Sequence, residues 1–364
     1  MSDEIYMNLA IDLARSAAGQ TSPNPPVGAV VVKDGEIAGV GAHLKAGGPH
    51  AEVHALNMAG EQAKGATIYV TLEPCSHYGK TPPCADLIIK SGIKRCVIAV
   101  QDANGVVAGK GIQKLKDAGI EVKVGVLQEA ALEVNGPFFH YAKTGMPFVT
   151  LKTAASLDGK TATHTGASKW ITGPEARNDV HRDRAFHDAI LVGVNTVIQD
   201  NPSLTTRLPE GGRNPLRVIL DTKLHTPIDS VITADGATET WIFVGKEVEA
   251  EKIAAFMSER PLVTIHQMGE SEISIESVLR KLGEQGIMTL YVEGGAAVHA
   301  SFLESRLFNQ VILYFAPKLI GGREAPTVFA GRGFASIEES MDLVIDSYEK
   351  VGQDLKIVAK PKWN

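Results

Sequence analysis

Apolar residues recur at helical spacing from Tyr6 through Leu9, Ala10 and Leu13, and Gly19 offers a stop, so the chain opens with an amphipathic helix. After the turn-forming run Pro23-Asn24-Pro25-Pro26 the pattern changes. Two β-rich runs, 27–33 and 36–41, flank Asp34-Gly35, a pair suited to the positive φ angles of a two-residue hairpin turn. Beyond it, 50–59 reads as helix, 66–72 as strand, 84–91 as helix and 95–100 as strand. A short helix closed by glycine follows at 111–119, then a strand at 120–126. The order predicts one layered α/β domain.

The pattern weakens over 128–148, where Gly136-Pro137 and Gly145-Met146-Pro147 act as breakers, and a domain boundary is placed near residue 146. A second α/β sequence begins with a strand at 148–154. Further strands are predicted at 189–194, 216–221, 239–244, 290–293 and 310–315. Length supports the division into 1–145 and 146–364, since 364 residues suit two domains of roughly 100–200 residues each.

Composition narrows the function classes. With 44% hydrophobic and 21% charged residues the chain is an ordinary globular protein. A formal charge of −6 provides no global positive field, which argues against a nucleic-acid partner. The opening MSDEIYMNLA lacks a basic segment followed by an apolar one, and no apolar run approaches the ~20 residues of a membrane span. Three cysteines (Cys75, Cys84, Cys96) do not make a disulfide framework. A cytoplasmic protein without a membrane partner is expected.

The chemistry concentrates in three short segments. His50-Ala51-Glu52 starts a predicted helix, Pro74-Cys75 follows a predicted strand, and Cys84 comes nine positions later. One imidazole and two thiolates would bind one zinc ion per chain and leave the fourth tetrahedral position for water, the arrangement of a catalytic site. Zinc brings the pKa of such a water toward neutrality, and Glu52 is placed to carry a proton to departing ammonia. The pattern matches the H-x-E and P-C signature of zinc deaminases, with a longer gap before the second cysteine. Taken singly, H-x-E is common and the cysteines could be core residues; their order carries the argument. Cys96 reads as core, and His54 as a packing or hydrogen-bonding residue. Among rival readings, a nucleic-acid base deaminase would need a basic groove, and a zinc-stabilised binding protein would need a fourth protein ligand.

In the second half, Tyr291-Val292-Glu293-Gly294-Gly295 reads as a strand whose glycine pair opens a helix. Backbone N–H groups there suit a phosphate, although such a turn is equally a tight connection. Arg184 and Arg207 could hold a phosphate through forked donors or simply be solvated.

Pro23-Asn24-Pro25-Pro26-Val27-Gly28-Ala29, His50-Ala51-Glu52 and the run from Thr71 to Cys84 together resemble the bacterial RibD family of riboflavin biosynthesis enzymes. So do Leu151 to Lys160, Ser168-Lys169-Trp170, Val192 to Arg207 and Val292 to Gly295, so the resemblance spans essentially the whole chain. It implies a three-layer α/β/α cytidine-deaminase-like domain followed by a dihydrofolate-reductase-like α/β domain. The implied reactions are deamination of 2,5-diamino-6-(5-phosphoribosylamino)pyrimidin-4(3H)-one to 5-amino-6-(5-phosphoribosylamino)uracil, then NADPH-dependent reduction of the ribosyl group to ribityl.

Carried over by position, the resemblance implies His50, Cys75 and Cys84 as zinc ligands and Glu52 as proton carrier. Asn24, His43, His77, Lys80, Asp102 and Asn104 would contact the deaminase substrate. Lys80 suits a phosphate, and reads equally as a solvated loop lysine. Asp102-Ala103-Asn104-Gly105 departs from the family's D-P-N-P, keeping both polar residues and losing the proline. NADPH would meet Ala154, Trp170, Thr196, Asp200, Thr222, Gly294, Gly295, Ala296, Ala297, Val298 and His299. The reductase substrate would meet Lys152, Ser168, Arg184, Leu204, Arg207 and Glu293. The resemblance also implies small-molecule phosphoribosylaminopyrimidine substrates and a homo-oligomer, dimer or tetramer.

Overall fold

The computed structural model describes residues 2–76, 82–102 and 109–363. The chain forms two compact units, Met1–Gly145 and Met146–Asn364. No helix among the described residues is long and apolar enough to cross a membrane.

In the first unit α1 (Asp3–Ala17) precedes the hairpin of β1 (Gly28–Lys33) and β2 (Glu36–Ala42). Then come α2 (Ala51–Ala59), β3 (Thr67–Leu72), α3 (Cys84–Lys90), β4 (Arg95–Val100), α4 (Lys110–Asp117), β5 (Glu121–Val124), α5 (Gln128–Val134) and α6 (Gly136–Thr144). Asp34 and Gly35 both take positive φ at the hairpin, as the Asp-Gly pair predicts. The strands form one sheet in the order β2-β1-β3-β4-β5, antiparallel within the first three and parallel from β3 to β5. Successive side chains of β4 point to opposite faces. Cys96 and Ile98 join the core under α2, α3 and α4, while Val97 and Ala99 join the core against α1 and α5. The result is a three-layer α/β/α sandwich. Asp3 ties the start of α1 to the sheet, accepting from Arg95 at 2.7 Å, Lys123 at 2.7 Å and the Tyr69 hydroxyl at 3.0 Å.

The weak pattern over 128–148 conceals two helices. Pro137 stands in the first turn of α6, where its missing N–H costs nothing, and Gly145 ends that helix in the left-handed region. The two breakers mark the ends of a helix, not the absence of one.

The second unit continues with β6 (Phe148–Ser156), α7 (Pro174–Phe186), β7 (Ala189–Gly193), α8 (Val194–Asp200), β8 (Leu216–Leu220), α9 (Val231–Ala234) and β9 (Thr240–Val244). It ends with α10 (Ala250–Glu259), β10 (Val263–Gln267), α11 (Ile275–Glu284), β11 (Thr289–Gly294), α12 (Ala296–Ser305), β12 (Gln310–Ala316), β13 (Leu343–Val351) and β14 (Asp354–Pro361). All six predicted strands are present; β10 and the β13/β14 hairpin are additional. The sheet order is β10-β9-β8-β7-β11-β6-β12-β14-β13, parallel from β10 to β12, with β14 antiparallel to both of its neighbours. Its parallel strands are buried on both faces: Ile190 and Val192 enter one core, Ala189 and Leu191 the other.

Candidate active sites

The first site lies at the carboxyl ends of β3 and β4, the place where open α/β sheets offer a crevice. His50 caps the start of α2, Cys75 follows β3 by three residues and Cys84 is the first residue of α3. His50 Nδ1 stands 3.7 Å from Cys75 Sγ and 3.3 Å from Cys84 Sγ. The three donor atoms all lie within 4.8 Å of one another, and among the described residues this is the one His/Cys/Asp/Glu group able to hold a metal ion. The start of α3 faces the Cys75 sulfur, a favourable field for a thiolate. The Cys84 thiol and its backbone N–H, at 3.3 Å, help draw the Cys75 thiol down to about 4. The same contact, with burial, pushes Cys84 up. His54, one turn along α2, is not part of the group, and Cys96 is fully buried core.

Glu52 is the second residue of α2, 3% exposed, and burial pushes its carboxyl up to about 7. Its Oε2 has no hydrogen-bond partner. One nitrogen and two sulfurs suit zinc, and the unpartnered carboxylate oxygen beside them suits a ligand carrying exchangeable protons. The residues therefore fit a zinc ion and a water.

A cavity of about 360 Å³ opens over this group, lined by Asn24, His43, His50, Glu52, Glu73, Cys75, Asp102 and Phe138 among others. His43 Nδ1 meets the Pro49 carbonyl at 3.0 Å and so donates. Nε2 then accepts from the Asn24 amide at 3.1 Å, and burial holds the ring neutral by lowering its pKa. Asn24, His43 and Asp102 thus gather in one cavity with the metal-ligand group. His77, Lys80 and Asn104 lie outside the described residues. Glu73 and Phe138 were not anticipated; Phe138 belongs to α6, the helix hidden behind its breakers.

The second site is a cavity of about 800 Å³ along the carboxyl ends of β6, β7 and β11. Lys152, Ala154, Ser168, Trp170, Arg184, Thr196, Asp200, Arg207, Glu293 and 295–299 line it. Gly294, Leu204 and Thr222 are not among the described lining residues; Leu204 is buried in the core. Gly294 closes β11 at φ +88°, and a Cβ there would come within 2.7 Å of the His299 ring, so no larger residue fits this turn. Gly295 N–H donates to Thr196 Oγ1 at 3.1 Å, and α12 starts at Ala296.

Arg184 differs from expectation. Its fork grips Glu293, Nε to Oε1 at 2.6 Å and Nη2 to Oε2 at 3.0 Å, and Nη1 donates to the Thr205 carbonyl at 3.1 Å. Lys152 Nζ approaches Glu293 Oε2 at 3.6 Å. Although Glu293 is buried, these cations hold its carboxyl down at about 2. Beside them His181, which the sequence reading overlooked, lines the cavity and is lowered to about 4 by burial and the nearby arginines. It shares a face of α7 with Arg177 and Arg184 at spacings of four and three residues, a periodicity that would have exposed it.

The two sites define a class: a zinc-binding deaminase region joined to a separate reductase unit. Residues 1–100 match the cytidine and deoxycytidylate deaminase zinc-binding region, and residues 147–357 match the RibD C-terminal domain. The chain is 54% identical over 362 residues to the riboflavin biosynthesis protein RibD of Bacillus amyloliquefaciens, covering 99% of this chain and 96% of that one. A solved Acinetobacter baumannii RibD is 39% identical with a TM-score of 0.89, covering 99% of each chain. A Thermotoga maritima diaminohydroxyphosphoribosylaminopyrimidine deaminase/5-amino-6-(5-phosphoribosylamino)uracil reductase is 41% identical with a TM-score of 0.88, covering 99% of this chain and 98% of that one. The chain belongs to the RibD family of bifunctional deaminase–reductases of riboflavin biosynthesis.

Proposed function

We propose that the N-terminal unit converts 2,5-diamino-6-(5-phosphoribosylamino)pyrimidin-4(3H)-one and water to 5-amino-6-(5-phosphoribosylamino)uracil and ammonia. The C-terminal unit then reduces the ribosyl group of that product to ribityl with NADPH. The observation that carries the first step is the cluster of His50, Cys75 and Cys84 beside the buried, unpartnered Oε2 of Glu52. The relatives' printed activities support the order and the substrates.

His50 Nδ1, Cys75 Sγ and Cys84 Sγ would hold the zinc. When bound, the ion supplies the Lewis acidity that makes water a nucleophile near neutral pH. Glu52 carries the proton, taking it from the attacking water at Oε2 and giving it to the departing amine. Asn24 and the neutral His43 fix the ring through polar contacts whose direction the Pro49 carbonyl sets. Asp102 contributes a second polar wall.

In the C-terminal unit, Ala154, Trp170, Thr196, Asp200 and residues 295–299 hold NADPH. The start of α12 would offer backbone N–H groups to its phosphates, with room beside Gly295. The cofactor supplies the hydride for the anomeric carbon of the ribosyl group. Arg207 and Ser168 bind the substrate phosphate. Lys152 faces the sugar, and Arg184 positions it indirectly by fixing Glu293. The chain assembles as a homo-oligomer, a reading supported by the outer strand β13, whose Val344, Ile345 and Tyr348 are exposed.

Glu52→Gln tests the deaminase step. Zinc content should stay at the wild-type level while ammonia release falls by roughly a hundredfold or more, the usual contribution of general acid–base catalysis. Undiminished ammonia release would remove Glu52 from the proton path.

A further inference from the structure

Four backbone donors converge on one carboxylate beside the deaminase cavity. Glu73 is 5% exposed. Its Oε1 accepts from the N–H groups of Gly111 at 2.9 Å and Ile112 at 3.2 Å. Its Oε2 accepts from Gly109 at 3.0 Å and Asp102 at 3.2 Å. Three of these donors belong to the first turn of α4 or the residue before it, and satisfying such groups is what any cap does. The fourth is different. Asp102 lies two residues past β4 and lines the cavity. Glu73 also adjoins Pro74 and Cys75, and the contact is close: a Cβ on Gly111 would come within 2.1 Å of the Pro74 carbonyl oxygen. The segment bearing a metal-site cysteine, the start of α4 and the chain at Asp102 therefore meet at one side chain.

We propose that Glu73 is a positioning residue for deamination: it holds the main chain at Asp102 against the end of β3, so that Asp102 stays in the wall that receives the pyrimidine. The proposal rests on the deaminase reading above. An ionised carboxylate is the one side chain of this length that accepts at both oxygens, and charge-assisted bonds of this kind are stronger than neutral ones. An amide in its place must turn an NH₂ group toward two of the four backbone donors.

The test uses the zinc-loaded full chain with the diaminopyrimidine substrate for deamination, and separately the uracil product with NADPH for reduction. Ammonia release by the wild type establishes the reading on which the proposal rests; its absence would count against that reading and not against Glu73. In Glu73→Gln, zinc content and reductase rate should match wild type, while the deaminase KM rises about tenfold and kcat changes little, the size expected for losing bonds to a charged acceptor. The double variant Glu73→Gln/Asp102→Asn should have the KM of Asp102→Asn alone, because one residue acts through the other. An unchanged KM, a KM effect that tracks zinc loss, or additive effects in the double variant would each overturn the proposal. Should Glu73→Gln not accumulate as folded protein, Glu73→Asp, which keeps the carboxylate and shortens its reach to the four donors, is read in its place: a raised KM with kcat and zinc content kept supports the proposal, and an unchanged KM overturns it.

Discussion

Each unit buries a glutamate at its cavity, and the two are treated in opposite ways. Glu52 lies among a histidine and two cysteines with Oε2 unpartnered, and burial lifts its carboxyl to about 7. Glu293 lies between the fork of Arg184 and the ammonium of Lys152, which hold it at about 2. A carboxylate with one oxygen free beside the metal-ligand set is placed to pass a proton between water and ammonia. A carboxylate gripped by two cations stays charged and, in the proposed function, serves as a fixed point for substrate. In the proposed function the first cavity is organised around proton transfer, the second around binding and orientation of two large molecules.

The sharpest way to break this comparison is at the metal site. Cys84→Ser should lower bound zinc and abolish ammonia release, while the reductase rate on the uracil substrate persists. Full zinc occupancy would remove Cys84 from the ligand set, and loss of both activities would show that the units do not work separately.

Next in size is the stability difference between the two glutamates. Glu293→Gln leaves Arg184 buried with its charge uncompensated and should destabilise the C-terminal unit by about 3–5 kcal/mol, measured by denaturant unfolding. Glu52→Gln breaks no ion pair and should cost far less; equal costs contradict the contrast. The pH dependence has a definite sign. The folded pKa of Glu293 is depressed from 4.5 to about 2, so its contribution is complete above 4.5 and is lost as pH falls toward 2. The stability gap between wild type and Glu293→Gln should therefore narrow below pH 4.5.

The smallest effect concerns Arg207. Its replacement by Ala should raise the reductase KM for the phosphorylated substrate about tenfold, as expected for a lost bond to a charged group, with NADPH affinity unchanged. Equal weakening of both ligands, read by titration, would contradict the division of contacts.

How much of this was legible in the chain follows from distance along it. His50, Glu52, Cys75 and Cys84 fall within one short stretch of sequence, each at a helix start or after a strand end, so spacing alone brought them together. The hairpin at Asp34-Gly35 was visible because turn chemistry is local. The Arg184–Glu293 pair joins residues 109 positions apart, and no local pattern announces it, so the sequence left Arg184 open between a phosphate contact and a solvated arginine. Glu73 was equally silent, since its donors come 29 to 39 residues later. β13 escaped because its residues are exposed on both faces, which removes the alternation that betrays a half-buried strand. Helix α6 was hidden by Gly136-Pro137, residues that mark a helix start as readily as a break.

The central claim, two independent chemistries on one chain, is tested most directly by supplying the zinc-loaded protein with the diaminopyrimidine phosphate and following ammonia and NADPH together. Ammonia should appear in full without NADPH, and NADPH added afterwards should be consumed in equal amount. Ammonia release that waits for NADPH, or NADPH consumption with no ammonia formed, would contradict the account.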